Sequence, residues 1–174
     1  MTSNTAKDGK YTDNNSSPQD FPEAIEAAKR GRTSDAIKLL TKVTSNYPHF
    51  SIGFTNLGLQ HLKNRDYDKA ESYFRTAIKL NNNDAVAYNH LGVILREQGK
   101  FSDAQTMYKN ALKHQPEYAY AHINLGILYD IYLYKLPLAL EHYKNYQSIT
   151  KNSDKQVANW IIDLERRIKS EQKG

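Results

Sequence analysis

The chain has 174 residues, a formal net charge of +5 and no cysteine. That length fits one domain, and the lack of cysteine removes disulfides, zinc–thiolate sites and thiol catalysis. No run of 18 apolar residues is available for a membrane span, no signal-peptide core is visible, and the basic charge is not a nucleic-acid signal. Lys63, Arg65 and Lys69 alternate with Asp66, Asp68 and Glu71, whereas a protein that tracks phosphates needs a stripe of one sign.

The stretch TSNTAKDGKYTDNNSS at the N-terminus has almost no apolar side chain. A disordered tail is therefore expected over residues 1–17. Beyond it, landmarks recur. Leu57-Gly58, Leu91-Gly92 and Leu125-Gly126 follow one another at equal intervals, and a fixed period of this size means stacked copies of one supersecondary unit. In the unit from Ala85 to Tyr118 the marks are Tyr88, Leu91, Gly92, Leu95, Gly99, Phe101, Ala104, Tyr108, Ala111 and Pro116. One period earlier the same slots hold Phe54, Leu57, Gly58, His61, Arg65, Tyr67, Ala70, Phe74, Ala77 and Asn82. Two periods earlier Ala24, Gly31, Ala36, Leu40, Val43 and Pro48 remain. One period later Leu125, Gly126 and Tyr129 fall in phase, but Ala139 and Tyr143 arrive one residue late. A single-residue insertion is expected near Tyr134–Pro137.

Within a unit the pattern is helical. Ala85, Tyr88, Leu91, Gly92 and Leu95 follow the three-four spacing of a buried stripe, and Asp84 is placed to cap that helix. Asn64-Arg65-Asp66 and Gln98-Gly99-Lys100 are the turns within units, with Gly99 suited to a left-handed cap. Small residues are expected where helices approach closely, pairing Gly92 with Ala111 and Gly58 with Ala77. No segment alternates with period two, so the chain is expected to be all-α. After the repeats, Asp154 to Gln172 reads as one more helix. Its stripe of Val157, Trp160, Ile161, Leu164 and Ile168 is expected to cover the open end of the fourth unit, docking onto another chain being the alternative, and Asp163–Arg167 and Glu165–Lys169 are expected surface pairs.

These marks resemble the tetratricopeptide repeat, a helix-turn-helix unit of about 34 residues. The resemblance covers roughly residues 17–151. It implies a right-handed superhelical solenoid of four units, at about 17–50, 51–84, 85–118 and 119–152, closed by a capping helix over 153–172. The first unit lacks the aromatic and the Leu-Gly pair, and the fourth lacks the closing proline, as suits units with one unpartnered face.

The resemblance also implies that the first helices of the units line a concave face. Carried onto this chain, the usual contact slots hold Ile52, Asn56, Leu59, Val86, Asn89, His90, Val93, Arg96, Tyr120, Ile123, Asn124 and Ile127. Such a row fits an apolar or amphipathic peptide, with asparagine amides meeting its backbone; packing between neighbouring helices is the competing reading of the same row. The basic clamp that some relatives use for a terminal carboxylate is absent, since Phe21, Ile25, Val86 and His90 stand in its slots. Tyr120, Tyr132 and Tyr134 add an expected hot spot. Partners are then another protein, or copies of this chain in a self-associating module, with no nucleic acid. The stretches 125–147 and 157–167 further resemble the endings of small proteobacterial repeat proteins, some of them lipoproteins of envelope, pilus or secretion systems. On that resemblance the tail is either an ordinary terminus or a tether whose lipid anchor was removed, and the compartment is either periplasmic and outer-membrane-associated or cytoplasmic.

Chemistry finds no foothold. His49, His61, His90, His114, His122 and His142 are scattered over repeat slots. His90 and His122 are placed to approach one another, but no carboxylate stands as a third ligand. No nucleophile elbow, phosphate loop or dinucleotide fingerprint occurs. No enzyme activity, metal or cofactor is expected.

Overall fold

The computed structural model describes residues 18–172, and among them every regular element is helical. The expected disordered tail, residues 1–17, lies outside the described residues. Helices α1 (Phe21–Lys29) and α2 (Thr33–Asn46) pair first, then α3 (Ser51–Lys63) with α4 (Tyr67–Leu80) and α5 (Ala85–Glu97) with α6 (Phe101–His114). The fourth pair is α7 (Ala119–Ile127), extended by a π turn over Leu128–Tyr132, with α8 (Leu136–Ile149); α9 (Lys155–Glu171) closes the chain. Each pair packs on the next through α2–α3, α4–α5, α6–α7 and α8–α9. Contact between successive units is the mark of a solenoid. The first helices α3, α5 and α7 also touch in series, so they form one continuous face.

The core runs unbroken from Ala70 and Phe74 through Leu91, Tyr108, Leu125 and Tyr143 to Val157 and Leu164. What lets each pair close is the Leu-Gly landmark. A methyl on Gly58 would stand 2.6 Å from Phe74 Cε1, and one on Gly126 2.6 Å from Tyr143 Cδ1. The aromatic of the second helix thus fills the space that glycine leaves on the first. This corrects the expected pairing of Gly58 with Ala77 and Gly92 with Ala111. Ala111 instead packs with Ala85 and Ala121 of neighbouring first helices, where a small residue is needed between pairs as well as within one.

Turns within pairs share one backbone device. Gly31, Arg65, Gly99 and Tyr134 all take positive φ, at 74°, 60°, 75° and 50°. After the first three, the next N–H reaches back five residues, from Arg32 to Ala27, Asp66 to His61 and Lys100 to Leu95, which closes a Schellman cap. In the fourth pair Lys135 reaches back six, to Tyr129. The surplus residue therefore lies inside the first helix, in the π turn where Leu133 N–H meets the Leu128 carbonyl at 3.0 Å, and not in Tyr134–Pro137. Widening one helical turn to an i→i+5 bond absorbs one residue and keeps the left-handed turn that follows.

Helix α9 starts at Asp154, whose carboxylate accepts from the N–H groups of Gln156 and Val157 at 3.0 and 3.1 Å. Val157 and Leu164 are buried, and the Trp160 ring lies 5.4 Å from that of Tyr143. Asp163 and Arg167 pair at 3.6 Å. Glu165, however, takes Lys144 of α8 at 2.7 Å rather than Lys169, because the packed neighbour offers a cation across the interface. Arg167 also reaches Asp130 in the π turn, at 2.8 Å.

Candidate functional site

The face built by α3, α5 and α7 holds an open depression of about 440 Å³ between α3 and α5. Ile52, Asn56, Leu59 and Val86 line it, with Thr55, Asn81, Asn83, Asp84, Ala85 and Gln115. Its floor is set by capping chemistry. Asp84 accepts from Ala87 N–H at 2.9 Å to start α5 and takes the Thr55 hydroxyl of α3 with its other oxygen. One carboxylate thereby fixes the spacing of two first helices. Ile52 is half exposed, and the Asn56 amide donates to the Ile52 carbonyl at 2.8 Å.

Further along the face the expected residues divide. Leu59, Val93, Ile123 and Ile127 are half-buried against the core, so the row packs neighbouring helices while still showing an apolar edge. Asn89 is buried, and its amide oxygen accepts from the Asn124 amide at 2.9 Å; the Asn124 amide, expected to meet a peptide backbone, is bonded to Asn89 instead. His90 stacks on Phe74 of the preceding pair, 5.7 Å between ring centres, and burial pulls its pKa down. It belongs to the packing between pairs. The expected approach of His90 to His122 does not occur. His122 Nδ1 lies 3.0 Å from Nδ1 of His142, and its Nε2 lies 2.9 Å from the Pro116 carbonyl. That carbonyl requires a proton on His122 Nε2, so in the neutral pair His142 donates to His122. Burial first, then the nearby His122 and Lys109, lowers the pKa of His142 to about 4.

The three hot-spot tyrosines do not form one cluster. Tyr120 is 66% exposed at the start of α7, beside Tyr118. Tyr132 packs on Phe101 with ring centres 4.7 Å apart, and Tyr134 sits in the following turn. The length of a helix separates Tyr120 from Tyr132, about 18 Å along the axis. Burial and the neighbouring Tyr120 push the Tyr118 hydroxyl up to about 12.

Arg96 stands in one of the expected contact slots. Its side chain is 14% exposed, Nη2 meets Glu97 at 3.1 Å, and Nε and Nη1 are buried without a hydrogen-bond partner. Among the described residues, no group of three or more His, Cys, Asp or Glu is placed to hold a metal ion, and no helix is long and apolar enough to cross a membrane.

Paired helices, stacked in register with a continuous first-helix face, define a helical-repeat scaffold. Residues 51–117 match the family model described as tetratricopeptide repeat. Protein bimA of Emericella nidulans is 33% identical over 84 residues, covering 48% of this chain and 10% of that protein. The peroxisomal targeting signal receptor of Candida glabrata is 29% identical over 91 residues, covering 52% of this chain and 15% of the receptor. This chain therefore spans only a small part of these relatives' lengths. The solved structure of PilF from Pseudomonas aeruginosa superimposes with a TM-score of 0.76 at 21% identity, over 87% of this chain and 68% of that one; this likeness is one of fold. Over residues 51–117, then, the chain carries tetratricopeptide repeats.

Proposed function

We propose that this chain is a non-enzymatic adaptor that takes a peptide or helical segment of another protein on its concave face, without a cofactor. The observation that carries this reading is the open depression between α3 and α5, where Ile52, Leu59 and Val86 stand beside the polar edge of Asn56 and Asn83. An apolar floor with a few amides is what a peptide needs, since its side chains lose water and its backbone keeps partners. One relative of this chain is named as a peroxisomal targeting signal receptor. The setting we propose is assembly in a bacterial envelope, pilus or secretion system, supported by the resemblance of the two C-terminal stretches. Selection of a displayed library of random linear peptides tests the groove. Enriched peptides should lose binding to an Ile52→Glu/Val86→Glu variant that keeps its helical signal. Peptides that ignore that variant would place the site elsewhere. A concentration-independent dimer in light scattering would favour the self-associating module instead.

A further inference from the structure

We infer that the segment this face receives carries a lysine or arginine beside its apolar residues, and that Asp84 takes the cation. This rests on the groove reading above.

Among the described residues that line the depression, Asp84 alone carries a charge. Its half-buried carboxylate accepts from Ala87 N–H and from the Thr55 hydroxyl. Both donors are neutral, and a carboxylate has room for about four hydrogen bonds. These bonds therefore position the charge without cancelling it, and no ion pair among the described residues reaches Asp84. His90 feels that charge, but burial outweighs it and lowers the His90 pKa, so the imidazole stays neutral. Lys63 ends α3, roughly 12 Å beyond Thr55 along the axis, and does not line the depression. Helix ends do not change the balance. α3 and α5 bring N-termini to the depression through Ile52 and Ala85, and α4 and α6 bring C-termini through Asn81 and Gln115. Their dipole ends are opposite in sign and similar in size, which leaves Asp84 as the net charge.

That charge decides which apolar segment fits. A neutral occupant would cover Asp84 and strip its remaining water without replacing it, which opposes binding. A lysine or arginine replaces that water with a charge-assisted hydrogen bond. Its aliphatic stem packs along Val86 and the half-exposed Ile52 while its head reaches the carboxylate. Asn56 adds an acceptor, because its amide N–H goes to the Ile52 carbonyl and its oxygen is left for a guest. The heads of lysine and arginine only donate, so carboxylate and amide oxygen both suit them. The same lining disfavours an acidic segment.

The test uses the full chain and peptides selected from the displayed library, remade with an acetylated N-terminus so that only side chains carry positive charge. Wild-type protein should enrich sequences with a Lys or Arg at a fixed spacing from apolar residues. Changing that residue to Gln should weaken binding about five- to tenfold, between the scale of an exposed ion pair and that of a hydrogen bond to a charged group. Asp84→Asn keeps a helix cap of equal quality, and on this variant the same peptide change should have little effect. Asp84→Ser, also a good cap, serves if the asparagine variant folds poorly. Peptides that bind wild-type protein equally well with the cation or with Gln would overturn this inference and leave the groove reading standing. A loss of equal size on the Asp84 variants would also overturn it, by assigning the cation to another acid. Peptides insensitive to Ile52→Ala/Val86→Ala, a pair that removes apolar cover without adding charge, would overturn both readings. A dimer that dissociates on that pair would assign the face to a second copy and also overturn the inference.

Discussion

Arg167 of the last helix and Asp130 of the π turn meet at 2.8 Å, thirty-seven residues apart in sequence, with Asp130 almost fully buried. The contact ties α9 to the one irregular turn of the first-helix face. Removing the guanidinium leaves a carboxylate buried without its cation, which is the costly way to break an ion pair. Arg167→Met should destabilise the protein by about 1–3 kcal/mol, less than for a fully buried pair because Arg167 is partly exposed. Adding Asp130→Asn should return part of that loss. A thermal melt that is unchanged in the single variant would show that α9 docks by its apolar stripe alone.

Gly92 sits under Tyr108, and a methyl there would lie 2.7 Å from Cε1 of a ring with no exposed surface. Alanine gains about 1 kcal/mol in helix propensity, but the ring has no free side to move toward. Gly92→Ala should therefore be destabilising by about 1–3 kcal/mol net, as overpacked cores are. Denaturant unfolding gives the sign, and a stabilised variant would refute the close seating.

Arg65 occupies the left-handed slot that Gly31 and Gly99 fill in the neighbouring pairs. A side chain there carries a conformational cost of about 1–2 kcal/mol that glycine avoids, offset in part by the greater freedom of glycine in the unfolded chain. Arg65→Gly should raise the melting temperature by about 1–4 °C, while Gly99→Ala should lower it by a similar amount. Calorimetry on the two variants checks both signs.

Acid should begin to destabilise this protein before its carboxylates titrate. His142 is held near 4, below its ordinary 6.5. The folded chain keeps it neutral while the unfolded chain binds a proton below 6.5, so the unfolded state gains protons in that interval. Stability is then full above pH 6.5 and falls as the pH drops toward 4. His90, depressed by burial, acts in the same direction. Asp66, Glu71 and Asp154, whose pKa values are lowered from 3.8, 4.5 and 3.8, contribute their losses only in more acid solution. Melting temperatures at pH 7 and pH 5 should differ in the wild type and converge in a His142→Gln variant. Equal slopes in both would remove His142 as the source.

The repeat was legible because its landmarks recur at a fixed interval, and each carries a local reason. Asp84 and Asp154 cap the helices expected of them, and Gly99 takes the left-handed turn. What stayed hidden depends on where side chains meet between elements. Nothing periodic announces that His122 finds His142, that Asn124 finds Asn89, or that Glu165 prefers Lys144 to Lys169. The surplus residue was visible as a late Ala139, but its place was not. Between Tyr129 and Ala139 the sequence has no landmark, and hydrogen bonding alone decides where the extra residue is absorbed. At the face, residue types suggested slots, while neighbours such as Asn124 on Asn89 and Phe74 on His90 decide which side chains are closed off.

The π turn has a consequence for how such a chain can grow. Copying the stretch from Ser51 to Asp84 would add a pair with every spacing intact. Copying the fourth pair would also copy an interval one residue too long and a buried Asp130 whose cation comes from the terminal helix alone. Each internal duplicate would inherit the acid without the arginine. Lengthening by duplication is therefore open at the second pair and closed at the fourth unless α9 is copied with it, so the fourth pair and α9 behave as one inherited unit.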